Sequence, residues 1–129
     1  MWPFGKQKKQ TESGKTLLRF SDVQVRPPTA NEKEASRLLK SATSKHDKKD
    51  FDGAVNDLRE AYYNMRKATL IYPIATYLRL PLYLQKAGRY HEALTEFDSL
   101  LKNTHDTRDI TVIRNKMKLA AKREEKRKP

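Results

Sequence analysis

Gly88-Arg89-Tyr90-His91-Glu92-Ala93-Leu94 decides the fold, because its pattern recurs 39 residues upstream in Lys49-Asp50-Phe51-Asp52-Gly53-Ala54-Val55. Both stretches read aromatic, two residues, alanine, aliphatic. A large apolar residue, Leu58 or Phe97, follows the alanine by four, and Ala61 or Leu100 comes three later. That spacing is one face of a helix with 3.6 residues per turn. In each copy another amphipathic segment ends one short turn before the aromatic. Amphipathic helices joined by short turns pair antiparallel.

Working outward, the first helix of the first pair starts near Asn31. Asn31 with Glu34 has capping-box spacing, and Thr29 with Glu32 offers a second register. Ala35, Leu38, Leu39 and Ala42 form its stripe, and the polar run Ser44 to Lys49 reads as a connection. Asp50 is a good N-cap for the second helix, whose stripe runs from Phe51 to Met65. Lys67 to Tyr72 joins it to a third helix beginning near Pro73, where a missing N–H is tolerated. Tyr77, Leu80 and Leu84 make the core stripe of that helix, and Leu78, Leu82 and Tyr83 make its other faces apolar too. Pro81 predicts a kink there without a break. Gly88 ends the helix in the left-handed position, and the fourth helix covers Tyr90 to Lys102. A fifth, starting near Asp109, carries Ile110, Ile113, Met117, Ala120 and Ala121.

The whole chain has 129 residues and a formal net charge of +12. Residues 1–26 carry net +4, residues 27–102 net +3 and residues 103–129 net +5, so the excess sits at the two ends. Three segments follow. Residues 1–29 form a basic, partly disordered or extended N-terminal arm, residues 30–121 a helical domain, and residues 122–129 a basic tail that frays from Arg123. Within the arm, Phe20, Val23 and Val25 alternate loosely, and Leu17, Leu18 and Phe20 are expected to lie along the helical body. Trp2 and Phe4 beside Lys6, Lys8 and Lys9 suit a membrane surface, a base stack or a loose start.

The two aromatic-alanine stretches resemble the tetratricopeptide repeat, most clearly at residues 88–94, and the resemblance covers about residues 35–102. It implies an all-α fold of two antiparallel hairpins plus a C-terminal capping helix. Ala54 and Ala93 would lie where the helices of a hairpin approach closely, with Phe51 and Tyr90 filling the space beside them. The sequence departs from the family in its longer period and in Pro81, which stands where a small residue is usual. The run Tyr77 to Arg89 also resembles a stretch of small uncharacterised bacterial proteins, which implies a bacterial or phage origin and no activity.

Chemical motifs are weak. Ser13-Gly14-Lys15-Thr16 has the end of a phosphate-binding loop, but Lys9 occupies the position of its first glycine. His46, His91 and His105 are scattered, and Asp47, Asp50 and Asp52 lack the later glycine and glutamate of a calcium loop. The absence of cysteine excludes a disulfide scaffold and a thiol nucleophile. No catalytic residue, metal ligand or cofactor is assigned, and the chain is expected not to be an enzyme. No apolar run approaches a membrane span of roughly 18 residues. Met1-Trp2-Pro3-Phe4-Gly5-Lys6 lacks a signal peptide's apolar block, so a cytoplasmic protein is expected.

The expectation is therefore a non-catalytic module that binds a peptide or protein surface in a helical groove. Family geometry would place Leu39, Thr43, His46, Leu78, Arg79, Leu82, Gln85 and Lys86 at the groove. The leucines would give apolar contact, and Arg79 and Lys86 would pair with acidic groups. Alternatively, residues 16–26 of the same chain cover Leu78 and Leu82, or the third helix meets another copy in a homo-oligomer. A rival reading is nucleic-acid binding by the basic C-terminal helix through Arg114, Lys118, Lys122, Arg123, Lys126 and Arg127, diluted by Glu124 and Glu125.

Overall fold

The computed structural model describes residues 27–127, which fold into five helices without a strand. They are α1 (Ala30–Asp47), α2 (Phe51–Lys67), α3 (Ile74–Lys86), α4 (Tyr90–Asn103) and α5 (Thr107–Arg127). The expectations for the arm up to Arg26, and for Lys128 and Pro129, fall outside the described residues. No helix among those described is long and apolar enough to cross a membrane.

Of the two capping registers, the chain uses Thr29 with Glu32. The Thr29 hydroxyl accepts from the Glu32 N–H at 3.2 Å, and the Glu32 carboxylate accepts from the Thr29 N–H at 3.0 Å. The other carboxylate oxygen accepts from the N–H and hydroxyl of Thr69 at 3.3 and 3.2 Å. One side chain thus starts α1 and holds the α2–α3 connection, which is why a glutamate is buried there.

Helix α1 continues through Ser44 to Asp47, where the sequence pattern ends it earlier. Its last turn finds partners that no local pattern reveals. The Lys45 ammonium lies 3.1 Å from the Asp57 carboxylate of α2, and the His46 ring meets Phe51 edge-on at 5.5 Å. Asp57 also accepts from the Ser41 hydroxyl at 2.6 Å. Between these polar clips, Ala35 and Ala42 of α1 and Ala54, Val55, Leu58 and Ala61 of α2 are fully buried. The alanines let the two backbones approach, and α1 with α2 makes the most extensive helix contact in the molecule.

The 39-residue repeat is visible in the backbone at the turns. Lys49 has φ 67° and Gly88 φ 79°, the two left-handed residues among those described. In each turn the following N–H reaches back five residues, Asp50 to the Lys45 carbonyl and Arg89 to the Leu84 carbonyl, both at 2.8 Å. This is the Schellman closure of a helix end. Asp50 then caps α2 as expected, accepting from the Gly53 N–H at 3.0 Å.

Helix α3 runs through Pro81 as one helix from Ile74 to Lys86. Pro81 removes one hydrogen bond, and the helix is held instead by burial on several sides. Leu80, Tyr83 and Leu84 enter the core shared with α1 and α2. Leu78 enters a second core with Phe97 of α4 and Ile113 and Ala120 of α5. Tyr62 of α2 ties the start of α3 by donating to the Thr76 carbonyl at 2.6 Å. Burial pushes its hydroxyl well above the usual tyrosine range, so it remains a neutral donor.

Helix α5 extends six residues beyond Ala121, the end of the predicted helical domain, to Arg127. Residues 123–127, expected to fray, continue α5 as helix and contact α3. Arg123 Nε donates to Gln85 Oε1 at 3.1 Å, and Arg127 Nη1 donates to the Gln85 carbonyl at 3.1 Å.

The left-handed conformation at Lys49 costs a side-chain-bearing residue roughly 1–2 kcal/mol and costs glycine nothing. Lys49→Gly should therefore raise unfolding stability by about 1 kcal/mol in a urea titration, after the entropy of the added glycine is offset. A decrease would show that Lys49 does not end α1 in this way.

Candidate functional site

The eight residues predicted to line a groove separate into three groups. Arg79 of α3 spends its guanidinium on α1, with Nη2 donating to Thr43 Oγ1 at 2.6 Å and to the Leu39 carbonyl at 3.2 Å. The same nitrogen donates to the Tyr83 hydroxyl at 3.2 Å, and the guanidinium carbon lies 5.5 Å from the Tyr83 ring centre. Two turns on, Lys86 Nζ lies 2.7 Å from His46 Nε2. An ammonium can only donate, so Nε2 accepts and the ring proton sits on Nδ1, which faces Asp47 at 3.2 Å. The His46 ring stacks on Tyr83 at 4.6 Å. Leu39, Thr43, His46, Arg79 and Lys86 are thus brought together as expected, but as partners of one another in the α1–α3 seam.

Leu78 and Gln85 form the second group, and both are buried. Leu78 is covered by Phe97 and Ile113, so the face expected to await a partner is largely closed by α5. Gln85 is a buried amide whose Nε2 donates to the Ala120 carbonyl at 2.8 Å and to Glu124 Oε1 at 3.2 Å. These bonds tie α5 to α3. The third group is Leu82 alone, half-buried.

Leu82 lies on two adjoining cavities between α3 and α5. The first, about 250 Å³, is lined by Ala75, Leu78, Leu82, Phe97 and Val112 together with Arg79, Lys116 and Arg123. The second, about 760 Å³, is bounded by Lys49, Phe51, Leu82, Gln85, Lys86, Arg123, Lys126 and Arg127. They adjoin at Leu82 and Arg123 and together make up the channel, with three cations on the first part and five around the second. No aspartate or glutamate lines either part. The nearby Glu124 is engaged by Gln85 and by Arg127 at 3.3 Å.

Sequence reasoning missed Lys49, Phe51, Phe97 and Val112 as channel residues. Lys49 reads as a turn and the two phenylalanines as core, while Val112 belongs to no stripe. Of the basic set proposed for nucleic acid, Arg123, Lys126 and Arg127 line the channel. Arg114, Lys118, Lys122 and Lys126 stand four apart on α5, each about 40° on from the last at 100° per residue, so Lys126 also continues the stripe of the other three.

The carboxylates that suggested calcium are used otherwise. Asp50 caps α2, Asp52 accepts from Arg89 at 3.0 Å and Asp47 faces His46. Among the described residues, no three metal-ligating side chains come together. The chain matches no family model, no curated protein and no solved structure.

If Arg79 belongs to the α1–α3 seam, Arg79→Met should lower unfolding free energy by about 1–3 kcal/mol, the range for lost hydrogen bonds to a charged group. Urea unfolding checks this. Unchanged stability would return Arg79 to the surface, free for a partner.

Proposed function

We propose that this chain is a non-catalytic interaction module, tetratricopeptide-like in its pairing of helices, which binds a segment of another protein in the channel between α3 and α5. The pairwise packing of α1 with α2 and α3 with α4 supports the helical-repeat reading, as does the full burial of Ala54 and Ala93 at equivalent positions. The observation that carries the binding reading is the pair of adjoining cavities, with Leu82 and Val112 half-buried in their lining. Apolar side chains on a concave surface are suited to receiving a side chain of a bound segment. The groove predicted between α1 and α3 is filled by Arg79, His46 and Lys86, so the reading moves one helix along.

Panning a phage-displayed library of random dodecapeptides against the full chain tests this. Binding peptides should be enriched and should lose binding to Leu82→Glu while keeping it to Thr95→Glu on the exposed face of α4. Leu82 is half-buried at the channel, so the variant should keep its helical circular dichroism. Failure to enrich any peptide, or equal loss with both variants, would contradict docking in the channel.

A further inference from the structure

The composition of the channel specifies what it holds. Its Leu78 end combines Leu78, Leu82, Phe97 and Val112 with the cations Arg79, Lys116 and Arg123. Its Lys86 end gathers Lys49, Lys86 and Lys126, all exposed, with Arg123 and Arg127 behind them. Arg123 and Arg127 are already oriented by hydrogen bonds to Gln85, so little further ordering is needed to meet an anion. Five cations around one depression lined by no carboxylate repel one another. An anionic occupant relieves that repulsion.

We infer that the occupant is an acidic protein segment, with one aliphatic side chain seated on Leu82 and Val112 and two or more carboxylates set against Lys49, Lys86 and Lys126. This rests on the docking reading above and adds the partner's chemistry and register to it. From Leu82 to Lys86 is four residues of helix, roughly 6 Å. An extended chain covers that distance in about two residues. The acidic pair therefore follows or precedes the aliphatic residue by that number. The chain's own N-terminal arm is a poor occupant, because residues 1–26 carry net +4. A phosphate backbone would use the cations and leave the apolar lining of the channel unused.

The test sequences the peptides enriched on the full chain and measures their affinities for the wild type and for Lys86→Glu combined with Lys126→Glu. Both lysines are exposed, so charge reversal leaves the core intact. A fluorescein-labelled oligouridylate of twelve nucleotides is the parallel probe. The inference expects peptides with an aliphatic residue about two positions from the nearer of at least two Asp or Glu. Their affinity should fall at least tenfold in the charge-reversed protein and weaken as salt rises. Neutral or basic enriched peptides whose binding still depends on Leu82 would overturn the inference and leave channel docking standing. No enrichment at all would overturn both. Oligouridylate binding that is tighter than that of any peptide and is lost on charge reversal would make the channel a nucleic-acid site and overturn the inference.

Discussion

Gln85 is an amide with two donor hydrogens and an acceptor oxygen in a position from which water is excluded, and α5 supplies its partners. Nε2 is taken by the Ala120 carbonyl and Glu124, and Oε1 by Arg123. A placement of α5 that left the amide unpaired would cost about 1–3 kcal/mol per lost group. Apolar contacts through Ile113 and Ala120 bring α5 to α3, but such contacts are not directional. The amide fixes where along α3 the helix rests, and Arg127 adds a clamp on the Gln85 backbone carbonyl. The channel is the space left beside Leu82 when α5 is held at that place.

Helix α3 therefore serves each neighbour with a different kind of residue. Its leucines fill two cores, Arg79 and Lys86 tie it to α1, and Gln85 ties it to α5. This division accounts for a helix apolar nearly all round that also contains a proline. Loss of the Pro81 N–H is offset by packing on α2, α4 and α5 together. It also explains the placement of the cations. Arg79 is spent on the seam, Lys86 meets His46 at the seam and also lines the channel, and Arg123 and Arg127 of α5 both dock Gln85 and line the channel.

Local rules carried the reading of the sequence a long way. Asp50, Pro73 and Gly88 mark helix ends because their chemistry acts within a turn of themselves. Ala54 and Ala93 mark close approach because a small residue at regular spacing on an apolar stripe has few other uses. What was not legible depended on partners distant in sequence. Ser44 to Asp47 looks like a loop until Lys45 finds Asp57 and His46 finds Tyr83. Residues 122–127 look like a fraying tail until Arg123 and Arg127 find Gln85. Leu78 looks like a free apolar face until Phe97 and Ile113 cover it. The predicted groove lay on α1 and α3, where Arg79, His46 and Lys86 meet, while the cavities lie beside α5, because periodicity states that a face is apolar and not which helix covers it.

The dependence of the channel on Gln85 is tested most directly by amide hydrogen exchange across α5 in the full chain, comparing wild type with Gln85→Leu. Leucine keeps the bulk of the side chain and removes every amide hydrogen bond. In the wild type, residues 120–127 should exchange markedly more slowly than a free helix end. In the variant they should exchange at least tenfold faster, with α1 and α2 unchanged. Residues 122–127 that exchange in the wild type at the rate of unstructured chain, or a variant that leaves them protected, would contradict the account.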